Sequence, residues 1–94
     1  MIVLGSTGSI GVNTLEIAKK FGIKIEVLVC GKNIKLLNEQ LKEHTPKLVV
    51  VSDKKDIASV DHSNVYAGEE NILKAIEDSE SDLVVNALVG FMGL

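Results

Sequence analysis

The chain has 94 residues and a formal net charge of −3, with Lys plus Arg totalling 10 and Asp plus Glu 13. This length accommodates one small domain, and 46% hydrophobic residues suffice for a core. That core is expected to be aliphatic because aromatic residues make up 3% of the chain. The negative charge and the scarcity of aromatic side chains argue against a nucleic-acid surface.

The single cysteine, Cys30, cannot form an internal disulfide, which fits a reducing compartment. No apolar run reaches transmembrane length, and no basic segment precedes the first apolar stretch. We therefore expect a cytoplasmic protein without a membrane or nucleic-acid partner.

Segments typical of strands and helices alternate along the chain. The predicted strands are 1–5, 24–31, 47–53, 65–68 and 82–88; the predicted helices are 9–22, 33–44 and 69–79; a helical turn and loop follow at 54–64, and a glycine-broken tail at 89–94. The short run at 1–5 and the runs at 47–53 and 82–88 are apolar enough to predict buried strands. This alternation predicts βαβ units in a Rossmann-like, doubly wound parallel sheet, with three α/β/α layers and one domain over 1–94. A chain that stops after a core strand is expected to be a fragment of a longer enzyme.

Each predicted helix has recognisable ends and an apolar face. Ser9 is expected to cap the first helix and Gly22 to end it, while Asn33 is expected to cap the second. The side chains expected to face the core are Ile10, Ile17, Ala18 and Phe21 in the first helix, Ile34, Leu37 and Leu41 in the second, and Ile72, Leu73 and Ile76 in the third.

The most informative segment is VLGSTGSIG, residues 3–11, which places Gly5, Gly8 and Gly11 between the first strand and the first helix. The spacing is G-x-x-G-x-x-G rather than the dinucleotide pattern G-x-G-x-x-G, and no Walker lysine follows. Glycines allow close backbone approach, Thr7 and Ser9 offer hydroxyls, and the helix N-terminus favours an anion. The loop therefore predicts a nucleotide phosphate site; a tight strand-to-helix turn is the alternative.

The end of the second strand, CGKN, lacks the carboxylate that receives the ribose 2′-hydroxyl of NAD. Lys32 supplies a positive charge and Asn33 an amide, directly after Gly31. This chemistry suits a 2′-phosphate and favours NADP over NAD. The alternative interpretation is a solvated lysine beside a helix-capping asparagine.

Taken together, GSTGSIG, CGKN and NALVGFMGL resemble, in order and spacing, the N-terminal NADPH-binding region of 1-deoxy-D-xylulose 5-phosphate reductoisomerases. The resemblance spans residues 3–94. It implies that the pyrophosphate loop comprises Thr7, Gly8, Ser9 and Ile10, flanked by Gly5 and Gly11, that Gly31, Lys32 and Asn33 surround the ribose and its 2′-phosphate, and that Asn86, Ala87 and Leu88 pass near the cofactor.

The same resemblance implies an NADPH-dependent reaction of the isoprenoid (non-mevalonate) pathway. In it, 1-deoxy-D-xylulose 5-phosphate is rearranged and reduced to 2-C-methyl-D-erythritol 4-phosphate with the help of a divalent metal, Mg or Mn. We expect a homodimeric parent enzyme, with the metal ligands and catalytic residues beyond Leu94, so that this chain alone is inactive. The sequence departs from the family at Cys30, where alanine is usual, and at Phe91 and Met92, where small residues are usual.

Other readings stay open at this point. A stand-alone nucleotide-sensing module, a packing-only α/β module and another NADP-dependent reductase, such as a semialdehyde dehydrogenase, would share parts of the pattern. His44 and His62 lack neighbours at metal-ligand spacing, and Asp53, Asp56 and Asp61 lack the full calcium-loop pattern, so structural or solvated roles are favoured for all five. Cys30 has no catalytic partner nearby in sequence and is expected to be buried.

Overall fold

The computed structural model describes residues 1–79 and 83–87. Strands and helices alternate in the predicted order. The strands are β1 (Ile2–Leu4), β2 (Val27–Cys30), β3 (Leu48–Val51), β4 (Val65–Ala67) and β5 (Val84–Asn86); the α-helices are α1 (Ser9–Phe21), α2 (Ile34–Glu43) and α3 (Glu69–Asp78); a 3-10 helix covers Lys54–Ser59. The strands are shorter than the predicted segments, and the predicted tail at 89–94 lies outside the described residues.

The five strands form one parallel sheet in the order β4-β3-β2-β1-β5. The chain builds outward from β1 through β2 and β3 to β4, and then returns to place β5 on the other side of β1. Ile2 is thus in register with Val27 on one side and with Val84 on the other. The predicted doubly wound, Rossmann-like sheet is confirmed, and the strand order reverses between β1 and β5.

Two apolar clusters, one on each face of the sheet, form the core. On one face, Leu15 and Ala18 of α1 and Leu37 of α2 pack against alternate residues of the sheet such as Leu28. On the opposite face, Ala75 of α3 packs against the intervening residues of the same strands. The helices therefore cover both faces, as a three-layer α/β/α architecture requires. Among the described residues, no helix is long and apolar enough to cross a membrane.

The three strands predicted to be buried differ in their surroundings. All three residues of β1 are buried, as predicted. In β3, Val49, Val50 and Val51 are fully buried, as predicted, because this strand lies between β2 and β4 with apolar clusters on both faces. The prediction for the last strand is wrong, because Val84 in β5 is 40% exposed. Its position at the edge of the described sheet, where β1 is its neighbour, leaves it accessible.

The predicted face of α1 is also wrong. Ile10, Ile17 and Phe21 are largely exposed, with Phe21 at 69%, whereas Gly11 and Leu15 are buried together with Ala18. Helical spacing supports either stripe, so periodicity alone cannot choose between them. Ala18 is the one residue of the predicted set that lies on the buried face. The helix does end as predicted, at Gly22 with φ +68°.

The other two helices follow their predictions more closely. Leu37 of α2 is fully buried, and Ile34 and Leu41 pack against the same cluster as predicted. In α3, Ile72 and Ile76 pack against the opposite cluster, but Leu73 is 66% exposed. The smaller Ala75 takes the buried position, since it stands on the same helical face as Ile72 and Ile76.

Candidate functional site

The glycine loop after β1 is held against the neighbouring strand by backbone hydrogen bonds. Gly5 adopts φ +87°, which a residue with a side chain rarely adopts. This turn lets the N–H groups of Gly5 and Ser6 both donate to the carbonyl of Val29, at 2.7 and 3.0 Å. The N–H of Gly8 donates back to Gly5 O at 3.2 Å. The loop is therefore a defined turn at the carboxyl end of β1.

Gly11 is required by close packing. An added Cβ there would lie 2.0 Å from Gly5 O and 2.7 Å from Ser6 Cα, both backbone atoms. The absence of a side chain therefore allows α1 to approach the loop and the end of β1. This is a structural reason for the third glycine of the motif, independent of any ligand.

Gly8 differs from Gly5 and Gly11. Its φ of −78° suits any residue, and the nearest atom to an added Cβ would be Gly5 O at 3.7 Å, an ordinary contact. Neither conformation nor packing within the described residues demands glycine at this position. The missing side chain leaves room for a ligand to approach the backbone here.

The N-terminus of α1 presents unpaired donors at this loop. The structure makes Gly8 the N-cap and Ser9 the first helical residue, so the prediction that Ser9 caps the helix is wrong. Glycine offers no capping side chain, and across the described residues the N–H groups of Ser9, Ile10 and Gly11 donate to no protein acceptor. The first turn contains no acidic residue. An anion here would meet free N–H groups and the positive end of the helix dipole.

The segment after β2 reaches the same edge of the sheet. Asn33 caps α2 as predicted, its Oδ1 accepting from the N–H of Leu36 at 3.2 Å. Lys32 is exposed, and an added Cβ at Gly31 would meet no heavy atom within 4 Å. Asn33 thus has a structural role as a helix cap. The described residues give Gly31 and Lys32 no comparable structural role.

Cys30 connects the two loops. Its Sγ lies 3.6 Å from Thr7 Oγ1, and the thiol donates a weak hydrogen bond to Asn33 O at 3.8 Å. The residue is 2% exposed, which confirms the predicted burial. Burial raises the pKa of the Cys30 thiol, with the Thr7 and Asn33 contacts opposing that rise. The thiol therefore stays protonated near neutral pH and is a poor nucleophile.

The end of β5 lies beside the glycine loop. The N–H of Ala87 donates to Leu4 O at 2.7 Å, and an added Cβ at Gly8 would lie 4.0 Å from Ala87 O. Asn86, the last residue of β5, is in register with Leu4 and is exposed. The structure therefore brings Asn86 and Ala87 to the predicted loop, while Leu88 lies outside the described residues.

One buried polar side chain at this edge is missing from the sequence prediction. Gln40 of α2 donates from its Nε2 to Ser6 O in the glycine loop at 2.7 Å. Gln40 is 8% exposed and Ser6 is fully buried. The sequence does offer one indication of its burial. Gln40 follows Leu37 by three residues, which places it on the same inward face of α2.

The remaining candidates have structural contacts. His62 Nε2 lies 2.8 Å from Pro46 O, while its Nδ1 accepts from the N–H of Asn64. Asp53 caps the 3-10 helix by accepting from the N–H of Lys55. His44 is the C-cap residue of α2, and its backbone N–H donates to Gln40 O. In residues 1–79 and 83–87, no group of three or more His, Cys, Asp or Glu side chains could hold a metal ion.

A cleft of about 410 Å³ lies between α1 and α2, and its lining residues do not include Gly5 to Gly11 of the glycine loop. Its lining includes the carboxylates of Glu16, Glu39 and Glu43, with Lys42 as the basic residue among them. Glu43 is already paired with Lys19 across the two helices, at 2.7 Å. This acidic lining does not suit the phosphates of a dinucleotide.

The fold and the loop geometry define the chain as a Rossmann-type α/β domain. In this class, ligands lie outside the carboxyl ends of the strands where the strand order reverses. Here that position is the end of β1 and β5, where the glycine loop stands.

The chain belongs to the 1-deoxy-D-xylulose 5-phosphate reductoisomerase family, whose model matches residues 1–94. It is 61% identical over 94 residues to the 1-deoxy-D-xylulose 5-phosphate reductoisomerase of Nautilia profundicola and 58% identical to that of Campylobacter lari, covering 100% of this chain and 26% of each relative. The chain thus spans about a quarter of the length of these curated relatives.

A solved structure gives the same assignment. The reductoisomerase from Zymomonas mobilis in complex with NADPH superposes with a TM-score of 0.70 at 26% identity, over 79% of this chain and 22% of that one. Family membership decides against the packing-only module and the semialdehyde dehydrogenase as interpretations of the sequence.

Proposed function

We propose that the chain is the NADPH-binding portion of a 1-deoxy-D-xylulose 5-phosphate reductoisomerase, and that residues 1–94 act as its cofactor domain. The observation that carries the proposal is the group of N–H donors at the start of α1 that have no acceptor among the described residues. They lie beside Gly8, which neither its φ nor any contact with the described residues requires to be glycine. The relative from Zymomonas mobilis, described as a complex with NADPH, supports the choice of cofactor.

In this proposal the glycine loop binds the pyrophosphate. Gly8 permits close approach, and Thr7, Ser9 and Ile10 line the turn, the last two with free N–H groups at the positive end of α1. Gly5 and Gly11 act indirectly, by allowing the turn and the packing of the helix on it. The fixed backbone donors would replace water around the phosphates without a large rearrangement.

The loop after β2 would select the phosphorylated cofactor. Lys32 is exposed, and no ion pair involves it within the described residues, so its ammonium is available to a 2′-phosphate. Gly31 leaves room for the ribose, and the Nδ2 group of Asn33 can donate while its Oδ1 caps α2. Asn86, Ala87 and Leu88 would pass near the cofactor on the other side of the glycine loop.

The whole protein's activity follows from the family. We propose that the full protein rearranges and reduces 1-deoxy-D-xylulose 5-phosphate to 2-C-methyl-D-erythritol 4-phosphate, for which bound NADPH supplies the hydride. The substrate and the divalent metal, Mg or Mn, would be held by residues beyond Leu94, so this chain alone would bind cofactor without turnover. A homodimeric, cytoplasmic parent enzyme without nucleic-acid or membrane partners belongs to the same proposal.

The deciding experiment is a calorimetric titration of the purified chain with NADPH and with NADH at low salt. Tighter binding of NADPH than of NADH is expected, because only NADPH offers a 2′-phosphate to Lys32. A chain that is folded by circular dichroism but binds neither dinucleotide would contradict the proposal. Turnover of 1-deoxy-D-xylulose 5-phosphate by the 94-residue chain would contradict the assignment of catalysis to residues beyond Leu94.

A further inference from the structure

The strongest unassigned feature is the hydrogen bond between α2 and the glycine loop. Gln40 Nε2 donates to Ser6 O at 2.7 Å across 34 residues of sequence. The bond is buried, since Gln40 is 8% exposed and Ser6 is fully buried. A buried hydrogen bond to a loop carbonyl fixes that peptide group in place, because breaking it would leave the carbonyl without a donor.

The contact allows one orientation of the amide. Turning the Gln40 side chain over would aim Oε1 at the carbonyl of Ser6, and two acceptors repel each other. Nε2 must therefore face the loop, although this leaves Oε1 buried without a partner among the described residues. Burying Oε1 without a partner costs free energy, so a specific role for the bond from Nε2 to Ser6 O would explain why Gln40 is buried here.

The position of the bond from Gln40 to Ser6 O indicates this role. Ser6 is followed directly by Thr7 and Gly8 of the proposed pyrophosphate loop. Gln40 lies near the C-terminal end of α2, the helix capped by Asn33 of the proposed 2′-phosphate segment. The bond thus connects the glycine loop to the helix that follows the proposed 2′-phosphate segment. The backbone hydrogen bonds from Gly5 and Ser6 to Val29 O and the weak sulfur contact between Cys30 and Thr7 join the loop to the end of β2. Gln40 adds a buried side-chain bond from α2 itself.

We propose that Gln40 is a positioning residue, which holds the Ser6 peptide so that the glycine loop keeps the shape needed for the pyrophosphate and stays in register with α2. This inference rests on the proposed NADPH binding. It assigns to Gln40 no contact with the cofactor. Substitution of Gln40 should therefore weaken the binding only of ligands that carry the pyrophosphate.

The test uses the Gln40→Met variant of the chain, which keeps the length of the side chain and removes the donor. We expect the Kd for NADPH to rise about ten-fold, because the loop would adopt the binding-competent shape only about a tenth of the time. The Kd for adenosine 2′-monophosphate, which carries the 2′-phosphate without a pyrophosphate, should stay within about two-fold.

Asn38 provides a matched control on the same helix. Its Nδ2 donates to Ser59 O at 2.9 Å and its Oδ1 accepts from the N–H of Asp61 at 2.7 Å, away from the glycine loop. Asn38→Leu should therefore destabilise the packing of α2 without changing the Kd for NADPH. If Gln40→Met weakened both ligands equally, or neither, Gln40 would be only a structural residue and the inference would be overturned.

A second measurement needs no cofactor. Amide hydrogen exchange reports on Gly5, Ser6, Gly8 and Val12, whose N–H groups are hydrogen-bonded in and around the loop. Gln40→Met should accelerate their exchange, whereas Asn38→Leu should accelerate that of Asp61. Unchanged exchange at the loop in Gln40→Met would overturn the positioning role even if NADPH binds, and failure of the unchanged chain to bind NADPH would overturn the proposed function separately.

A third variant guards against loss of folding. Gln40→Glu can donate to Ser6 O when its carboxyl group is protonated and cannot when it is ionised. Relative to the unchanged chain at the same pH, this variant should recover loop protection as the pH falls toward the range in which a buried carboxyl is protonated. Absence of that recovery in a folded variant would also count against the inference.

Discussion

The two loops at the carboxyl edge of the sheet use glycine for different reasons. In the loop after β1, Gly5 needs its positive φ and Gly11 needs its missing Cβ, so two of the three glycines are required by the fold alone. In the segment after β2, neither conformation nor packing against the described residues requires glycine at position 31. A glycine motif is therefore weaker evidence for a ligand than it looks, and the glycines without a structural task, Gly8 and Gly31, are the more informative ones.

The largest effect is expected at Gly11. In Gly11→Ala the new Cβ would meet backbone atoms of Gly5 and Ser6 that cannot move independently of the loop. We expect a loss of about 3 kcal/mol in the free energy of unfolding, at the upper end for overpacking, measured by urea denaturation. Gly31→Ala is the control and should stay within about 1 kcal/mol of the unchanged chain. Similar stability of the two variants would contradict the distinction between the two loops.

The next largest effect is expected at Gly8. Gly8→Val should weaken NADPH and NADH alike, by about 100-fold or about 3 kcal/mol, because a branched side chain would keep the pyrophosphate from the free N–H groups. The fold should survive, since the Cβ makes only an ordinary contact with Gly5 O. Calorimetric titrations of both dinucleotides check the first statement and circular dichroism the second. Unchanged binding of both dinucleotides would instead support the interpretation of the loop as a strand-to-helix turn without a ligand.

A smaller and more selective effect is expected at Lys32. Lys32→Asp places a negative charge where the 2′-phosphate is proposed to lie, so the Kd for NADPH should rise about ten-fold or more, while the Kd for NADH should change by less than about two-fold. Lys24→Asp makes the same change of charge at the opposite end of β2 and should affect neither. Equal losses for both cofactors in Lys32→Asp would contradict the assignment of the 2′-phosphate to the second loop.

The smallest effect concerns His44, at the far end of α2 from both loops. Burial lowers the pKa of its imidazole, with Glu43 opposing this and Lys19 adding to it. The imidazole therefore binds a proton more readily in the unfolded chain. The free energy of unfolding should be highest above the ordinary imidazole pKa of about 6.5 and should decline as the pH falls below it. Thermal melts from pH 8 to pH 5 should show a shallower decline in His44→Gln. The same pH dependence in both proteins would exclude His44 as its source.

Much of this arrangement could be predicted from the sequence because it depends on local chemistry. The alternation of strands and helices, the cap at Asn33, the stop at Gly22 and the placement of two loops at one sheet edge all follow from neighbouring residues and the rules of parallel sheets. The roles of Thr7, Gly8, Lys32 and their neighbours toward NADPH stay predictions.

What could not be predicted depends on three-dimensional context. In α1 the residues Ile10, Ile17 and Phe21 suggested a core face, but the close approach at Gly11 turns the face with Leu15 and Ala18 inward. In β5 an apolar sequence suggested a central strand, whereas its position beside β1 makes it an edge in the described sheet. Gln40 was missed because its partner, the carbonyl of Ser6, is a backbone atom that no sequence pattern reveals.

The strand order has a consequence for how the chain assembles. The pairing of β1 with β2 and of β2 with β3 joins residues that are about 20 to 25 positions apart, whereas β1 meets β5 across more than 80 positions, as Ile2 and Val84 show. Because closing a longer loop costs more entropy, we expect the β1–β2–β3 unit to form first during synthesis on the ribosome. The glycine loop and the segment after β2 would then be in place early, and Asn86 and Ala87 would complete that edge last.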